Sequence, residues 1–192
     1  MEMKDSIKKA LSDRIRWVSS ATGLTRAAVL VPLFQKEGHY HILFTKRTHR
    51  VKHHKGEISF PGGVVDEGDE DVEATACRET LEEIGLPREY VEILGRLDDA
   101  ITISSAYLIT PIVAEIAYPY PFSINADEIE ELVEIPLEAF LEKERWKEEI
   151  LFEGNERILG DFFQYEGRII WGATARIMRQ FLHVLFPDRG ND

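Results

Sequence analysis

Three carboxylates within one helical turn restrict this chain more than any other feature. Residues 69–84 carry the signals of a helix: Asp69 as N-cap, acidic residues in the first turn, Gly85 as the stop and Pro87 just beyond. On that helix Glu79, Glu82 and Glu83 stand at i, i+3 and i+4, so their side chains share a face. Like charges at this spacing repel by a few tenths of a kcal/mol per exposed pair, and the negative end of the helix dipole disfavours them further. The layout gains no stability by itself. A divalent cation reverses that argument, because hard oxygen donors suit Mg²⁺ or Mn²⁺. Arg78 is spaced to reach Glu82 four residues on and hold it in position. The preceding Pro61-Gly62-Gly63 is a strong breaker, read as a turn whose backbone approaches metal or phosphate closely. An acidic helix face taken alone is most often a solvated one, so the flanks decide.

Upstream, Ala27–Phe34 and His39–Arg47 read as two strands joined by a turn at Lys36–Gly38, and Ile58-Ser59-Phe60 as a short third strand. Residues 5–18 place Ile7, Leu11, Ile15 and Val18 at helical spacing. Further strands are expected at Val91–Leu97 and Leu108–Ile116, and helical pieces between Ala126 and Glu144, interrupted by Pro136. Apolar runs separated by Glu153-Gly154-Asn155 and Glu166-Gly167 read as hairpins, before a last helix over Thr174–Phe186 with Ile177, Phe181, Leu182 and Leu185 on one stripe. Mixed strands with a few helices give an α+β class or an α/β/α sandwich. The expected organisation is an N-terminal amphipathic helix and lead-in over 1–24, followed by one domain over 25–192.

A hydrophobic fraction of 44% supports a packed core. No apolar stretch approaches the roughly 20 residues that span a bilayer, and the N-terminus lacks the apolar run of a signal peptide. Cys77, the one cysteine, has no internal disulfide partner, which fits a reducing cytoplasm. It has no activating His nearby and is read as a packed thiol. The net charge of −12 opposes non-specific nucleic-acid or membrane binding. One segment breaks that trend: between Lys46 and Lys55, eight of ten residues are basic (Lys46, Arg47, His49, Arg50, Lys52, His53, His54 and Lys55). His53 and His54 lack a Cys partner at metal-ligand spacing, so no zinc site is expected. Trp171 and Phe181 are read as core aromatics.

Gly63 to Leu86 resembles the Nudix box, G-x5-E-x7-R-E-U-x-E-E-x-G-U, where U is a bulky apolar residue. Arg78-Glu79-Thr80-Leu81-Glu82-Glu83-Ile84-Gly85-Leu86 follows the pattern except for Thr80. Asp69 replaces the first Glu, and one extra residue separates it from Arg78. This longer spacing resembles the coenzyme A pyrophosphatase branch. So does an upstream signature, L-L-T-x-R-S-x3-R-x3-G-x3-F-P-G-G, which reads here Leu43-Phe44-Thr45-Lys46-Arg47-Thr48, then Lys52, Gly56 and Phe60-Pro61-Gly62-Gly63. Ile109-Thr110-Pro111-Ile112-Val113 and Ile170-Trp171-Gly172-Ala173-Thr174-Ala175 also resemble that branch.

The resemblance implies a mixed sheet between helices and a divalent-metal-dependent hydrolase of nucleotide derivatives, commonly a homodimer. Glu79, Glu82 and Glu83 are the implied metal ligands. Glu82, Arg78 and Glu128 are the implied catalytic residues, with Glu128 a candidate general base. Arg47, Lys52, Gly62 and Gly63 are the implied substrate contacts. The preferred reaction is hydrolysis of coenzyme A or its thioesters to 3′,5′-ADP and a 4′-phosphopantetheine product. Two alternatives stay open: a Nudix activity on ADP-ribose, dinucleoside polyphosphates or nucleoside triphosphates, and a catalytically silent nucleotide-binding domain.

Overall fold

A computed structural model describes residues 3–50, 54–102, 106–153 and 156–187. Its elements in chain order are α1 (Met3–Ser12), β1 (Thr25–Lys36), β2 (His39–Arg47), β3 (Ile58–Ser59), β4 (Gly62–Val64), α2 (Val72–Ile84), β5 (Val91–Arg96), β6 (Ala100–Ile101), β7 (Tyr107–Ile116), β8 (Ile129–Pro136), β9 (Trp146–Glu153), β10 (Glu156–Tyr165), β11 (Arg168–Trp171) and α3 (Gly172–Leu185). Helices over a mixed sheet make this an α+β fold. Lys52 and His53 lie outside the described residues, as do Gly154 and Asn155 of one expected hairpin turn.

Strand β1 is the axis of the larger sheet. It pairs parallel with β7 along nine residues and antiparallel with β2 and β4, while β5 and β8 lie further out. Buried on both faces, it reads as a near-continuous apolar run, Ala27 to Phe34, rather than an alternation. One face buries Ala28, Leu30 and Ile112 against Ala76, Cys77 and Ile84 of α2. The other buries Val31, Leu33, Ile42 and Phe44 against Ile7 of α1, Ile177 and Phe181 of α3, and Phe163 and Ile170 of the three-stranded β11-β10-β9 sheet. Cys77 is buried, and burial pushes its thiol above the ordinary value, as suits packing rather than reactivity.

Several expectations change. Residues 126–144 are helical only after Pro136, in two short 3-10 pieces, Leu137–Leu141 and Lys143–Arg145. Ile129, Val133 and Ile135 are buried along β8, which pairs antiparallel with β2, so the apolar period is closer to two than to 3.6. Gly62-Gly63 is not a turn but part of β4, paired with Ala28 and Val29. The first helix stops at Ser12 instead of Val18. Beyond it Arg14 and Arg16 are drawn onto Asp98 and Asp99, which leaves Ile15 98% exposed and Val18 60% exposed. Paired charges face inward there, and helical spacing is lost. Trp171 is 39% exposed and stacks on Phe162, while Phe181 is buried as expected.

The cap of α2 is Asp71, not Asp69. Asp71 accepts hydrogen bonds from the backbone N–H groups of Glu73 and Ala74, both at 2.9 Å. Asp71→Ala is expected to cost about 1 kcal/mol, a fall of roughly 2–4 °C in Tm. An unchanged thermal melt would count against this capping role.

Candidate active site

The C-terminal half of α2 is held at both ends of its carboxylate cluster. Gly85 closes the helix in the left-handed conformation (φ 71°), and its N–H donates to the Leu81 carbonyl. The orphaned Glu83 and Ile84 carbonyls accept from the N–H groups of Asn125 (2.8 Å) and Ser123 (3.0 Å). The loop before β8 is therefore fastened to the end of α2. The Asn125 carbonyl then accepts from Glu128 N–H at 3.0 Å, which carries Glu128 to the same place.

Of the three helix carboxylates, the fold separates one from the other two. Glu82 lies on the outer flank with its side chain 58% exposed, 3.4 Å from Arg78. Glu79 turns beneath β4 and pairs with Arg78 at 2.7 Å. Glu83 is buried, accepting from Gly62 N–H and from Arg47, each at 3.3 Å. Burial pushes the Glu83 carboxyl up to about 8, opposed by the Arg47 charge and the Gly62 hydrogen bond and reinforced by the nearby Glu79 and Glu128 charges. Burial also raises Glu79, with Arg78 opposing. Arg47 sits between Glu83 and Glu128, with the second contact at 3.7 Å.

Glycine at positions 62 and 63 is a requirement of this packing. A Cβ at Gly63 would lie 2.5 and 2.6 Å from the two carboxylate oxygens of Glu79. A Cβ at Gly62 would meet the Ala28 carbonyl oxygen and lie 2.6 Å from Val29 Cα. The close approaches this Gly-Gly pair makes are to the Glu79 carboxylate and to β1, and a strand makes them.

Asp69 serves Arg78. Its carboxylate takes the Arg78 Nε–H at 2.9 Å and a second guanidinium N–H at 3.1 Å, and also accepts from Thr75 Oγ1 and Asp66 N–H. Arg78 also donates to the Val64 carbonyl at 3.0 Å, tying α2 to β4. The guanidinium beside Asp69, with these hydrogen bonds, holds its carboxyl well below the usual carboxylate range. Its stabilising effect is therefore complete above about pH 4 and is lost as pH falls below that. Asp69→Asn is expected to cost about 1–3 kcal/mol at pH 7. In acid denaturation series, its deficit against wild type should shrink below about pH 4. A deficit independent of pH would contradict the ion pair as its source.

The Gly62-Gly63 strand that covers Glu83 and Glu79 fronts a cleft of about 600 Å³. Gly62, Gly63 and Phe60 line it, with Arg47, Arg50, His54 and Glu128 on one flank and Tyr107, Ile109, Thr174 and Ile177 on the other. The upstream signature converges here. Thr48 donates to the Asp127 and Glu128 carbonyls through Oγ1 (2.9 Å) and N–H (2.8 Å). Gly56, at φ 70°, donates to the Arg47 carbonyl, and Phe60 stacks on Phe44 at 4.8 Å. The Arg47 Nε is buried without a protein partner. His54 pairs with Glu57 at 3.0 Å while lining the cleft. Sequence reasoning gave no site role to Arg50, Tyr107, Ile109, Thr174 or Ile177; Arg50, Ile109 and Thr174 stood in segments it singled out, Tyr107 and Ile177 are ordinary where they stand, and only the fold brings all five to one cleft.

The donor set suits a hard divalent cation in kind: Glu79 and Glu83 are partly or largely buried oxygen donors, and the Glu79 charge raises the proton affinity of Glu83. Among the described residues, however, no three His, Cys, Asp or Glu side chains converge in the arrangement present. Glu79 is turned to Arg78 and Glu83 to Arg47. No helix among the described residues is long and apolar enough to cross a membrane.

Comparison with known proteins agrees with this geometry. The model of the NUDIX domain matches residues 24–153. "Uncharacterized Nudix hydrolase NudL" from Yersinia pestis (strain Pestoides F) is 38% identical over 156 residues, covering 80% of this chain and 76% of the relative. Among solved structures, a MutT/nudix family protein from Enterococcus faecalis aligns over 97% of this chain and 80% of its own, with TM-score 0.55 at 13% identity. The NUDIX domain of Shewanella oneidensis NrtR, complexed with ADP ribose, aligns over 64% of this chain and 79% of its own, with TM-score 0.51 at 20% identity. These last two likenesses are of fold. With the family model over most of its length and a relative 38% identical over 80% of the chain, the chain belongs to the Nudix family and is a Nudix hydrolase.

Proposed function

We propose that the chain hydrolyses the diphosphate bond of coenzyme A or its thioesters, with Mg²⁺ or Mn²⁺ held chiefly by Glu79 and Glu83. One observation carries this reading. The upstream signature that resembles the coenzyme A branch, through Arg47, Phe60, Gly62 and Gly63, lines the cleft fronted by the strand that covers Glu79 and Glu83. Glu82, outside this inner pair, completes the ligand set by rotation of its exposed side chain.

Bound there, the cation supplies positive charge to the diphosphate and lowers the pKa of the attacking water. Arg47, whose Nε has no protein partner, would hold a phosphate oxygen, and Glu83, now paired with Arg47, would be a ligand of the cation. Arg78, fixed by Asp69 and the Val64 carbonyl, orients Glu79. Glu128 would accept a proton of the attacking water at a carboxylate oxygen as the water oxygen bonds one phosphorus, the bridging P–O bond breaks and the other phosphate leaves as the anion. Lys52 is retained as a phosphate contact on the signature alone.

The test is product analysis by chromatography with Mg²⁺ or Mn²⁺ on coenzyme A, acetyl-coenzyme A, ADP-ribose, diadenosine tetraphosphate and a nucleoside triphosphate. The expected result is release of 3′,5′-ADP from coenzyme A, faster than any other cleavage and lost with EDTA. Faster cleavage of another member would discard coenzyme A and keep Nudix hydrolysis.

A further inference from the structure

The two flanks of the cleft differ in chemistry. On the Arg47 side the lining is rich in ionisable side chains: Arg47, Arg50, His54, Glu57, Asp127 and Glu128. Across β4 and β1 the character reverses. Ala27 stands opposite both Val64 and Ile109 in the sheet register, so β4, β1 and β7 present these side chains in one row to the cleft. Val29, Tyr107 and Ile109 with Thr174 and Ile177 of α3 then form a wall. Among its described residues there is no charged or amide side chain. Two strand spacings, roughly 10 Å, separate β7 from the Gly62-Gly63 strand above Glu79 and Glu83. A diphosphate seated at those carboxylates leaves this wall to the group beyond it.

Resting on the coenzyme A reading, we propose that this β1–β7–α3 wall is the specificity surface for the flexible, uncharged arm on the far side of the diphosphate, and that it favours an acylated thioester arm over a free thiol. A sugar would bring several hydroxyls to a surface whose polar partners are few, and each buried hydroxyl left unpaired opposes binding, whereas the acyl chain of a thioester brings none. A second base would need edge readers, and the wall offers branched aliphatic side chains with one aromatic ring, Tyr107. Branched aliphatic surface accepts an alkyl chain without demanding one geometry. The cleft volume of about 600 Å³ lies within the range of roughly 300–1,000 Å³ that accommodates a ligand of this size.

The test compares kcat/KM for coenzyme A, octanoyl-coenzyme A and ADP-ribose in wild type, Thr174→Trp and Ile109→Ala. Thr174→Trp fills the wall from α3, and Ile109→Ala removes apolar contact without adding bulk. Wild type is expected to favour octanoyl-coenzyme A over coenzyme A by about tenfold or more. One buried methylene contributes a factor of about four, so fewer than two need reach the wall. The ratio should fall towards one in both variants, with circular dichroism and melts reporting whether each is folded. A wild-type ratio near one, or a ratio that survives in both folded variants, overturns the proposal while the coenzyme A reading stands. Cleavage of ADP-ribose with neither coenzyme A form cleaved overturns that reading and this inference with it.

Discussion

Glu83→Gln is expected to lower kcat by on the order of 10³-fold or more without loss of folding. Glutamine keeps the shape of the side chain and the acceptor for Gly62 N–H, but it brings no negative charge. As a proposed metal ligand, Glu83 stands at the inner end of the cluster, buried between Gly62, Arg47 and the charges of Glu79 and Glu128. Burying a carboxylate there costs solvation that one arginine, shared with Glu128, only partly returns. Neutralising it therefore relieves the metal-free protein, and its melting temperature in EDTA should equal or exceed that of wild type. Activity and stability move in opposite directions, which separates a metal-site residue from a structural one. Near wild-type turnover in Glu83→Gln would remove Glu83 from the ligand set. A large drop in melting temperature would mean that the carboxylate serves the fold.

The two glycines of β4 should respond differently to the same methyl group. At Gly62 an alanine Cβ meets backbone, the Ala28 carbonyl oxygen and Val29 Cα in the central strand, and neither can withdraw without breaking the β1–β4 ladder. Gly62 also sits at φ 152°, which L side chains rarely adopt. Gly62→Ala is expected to destabilise by about 3 kcal/mol or more, combining overpacking and backbone strain. At Gly63 the clash is with the carboxylate end of Glu79, which can rotate away. Gly63→Ala should stay folded, with a loss within about 1 kcal/mol of stability, but displace Glu79 and lower kcat by about 10²-fold. Urea denaturation and steady-state kinetics on both variants check the contrast. Equal stability losses would show that Glu79 is held as rigidly as backbone.

The sequence was informative where a signal is local. The β1–β2 hairpin, the end of α2 at Gly85 and the stripe of α3 follow from breakers and periodicity, and the structure places them at Thr25–Arg47, Val72–Ile84 and Gly172–Leu185. Local signals failed where a distant partner outweighed them. Ile15 and Val18 continue a helical spacing, yet Asp98 and Asp99 capture Arg14 and Arg16 and pull the segment out of helix. Residues 129–136 resemble helix until β2 supplies an antiparallel partner. Asp69 has the position of a cap, but a cap needs only the N–H groups two and three residues on, and Asp71 already serves those at Glu73 and Ala74.

By its sequence alone this chain determined the family box, the shared helix of Glu79, Glu82 and Glu83, and the need for glycine before it, because box spacing and helical period are properties of neighbours along the chain. Tertiary structure decided which carboxylates turn inward, that Arg47 lies between Glu83 and Glu128, and that Tyr107 and Ile109 share a wall with Thr174 and Ile177. Those relations depend on strand order and register, where one residue of slip moves a side chain to the opposite face, and on segments far apart in sequence being buried together.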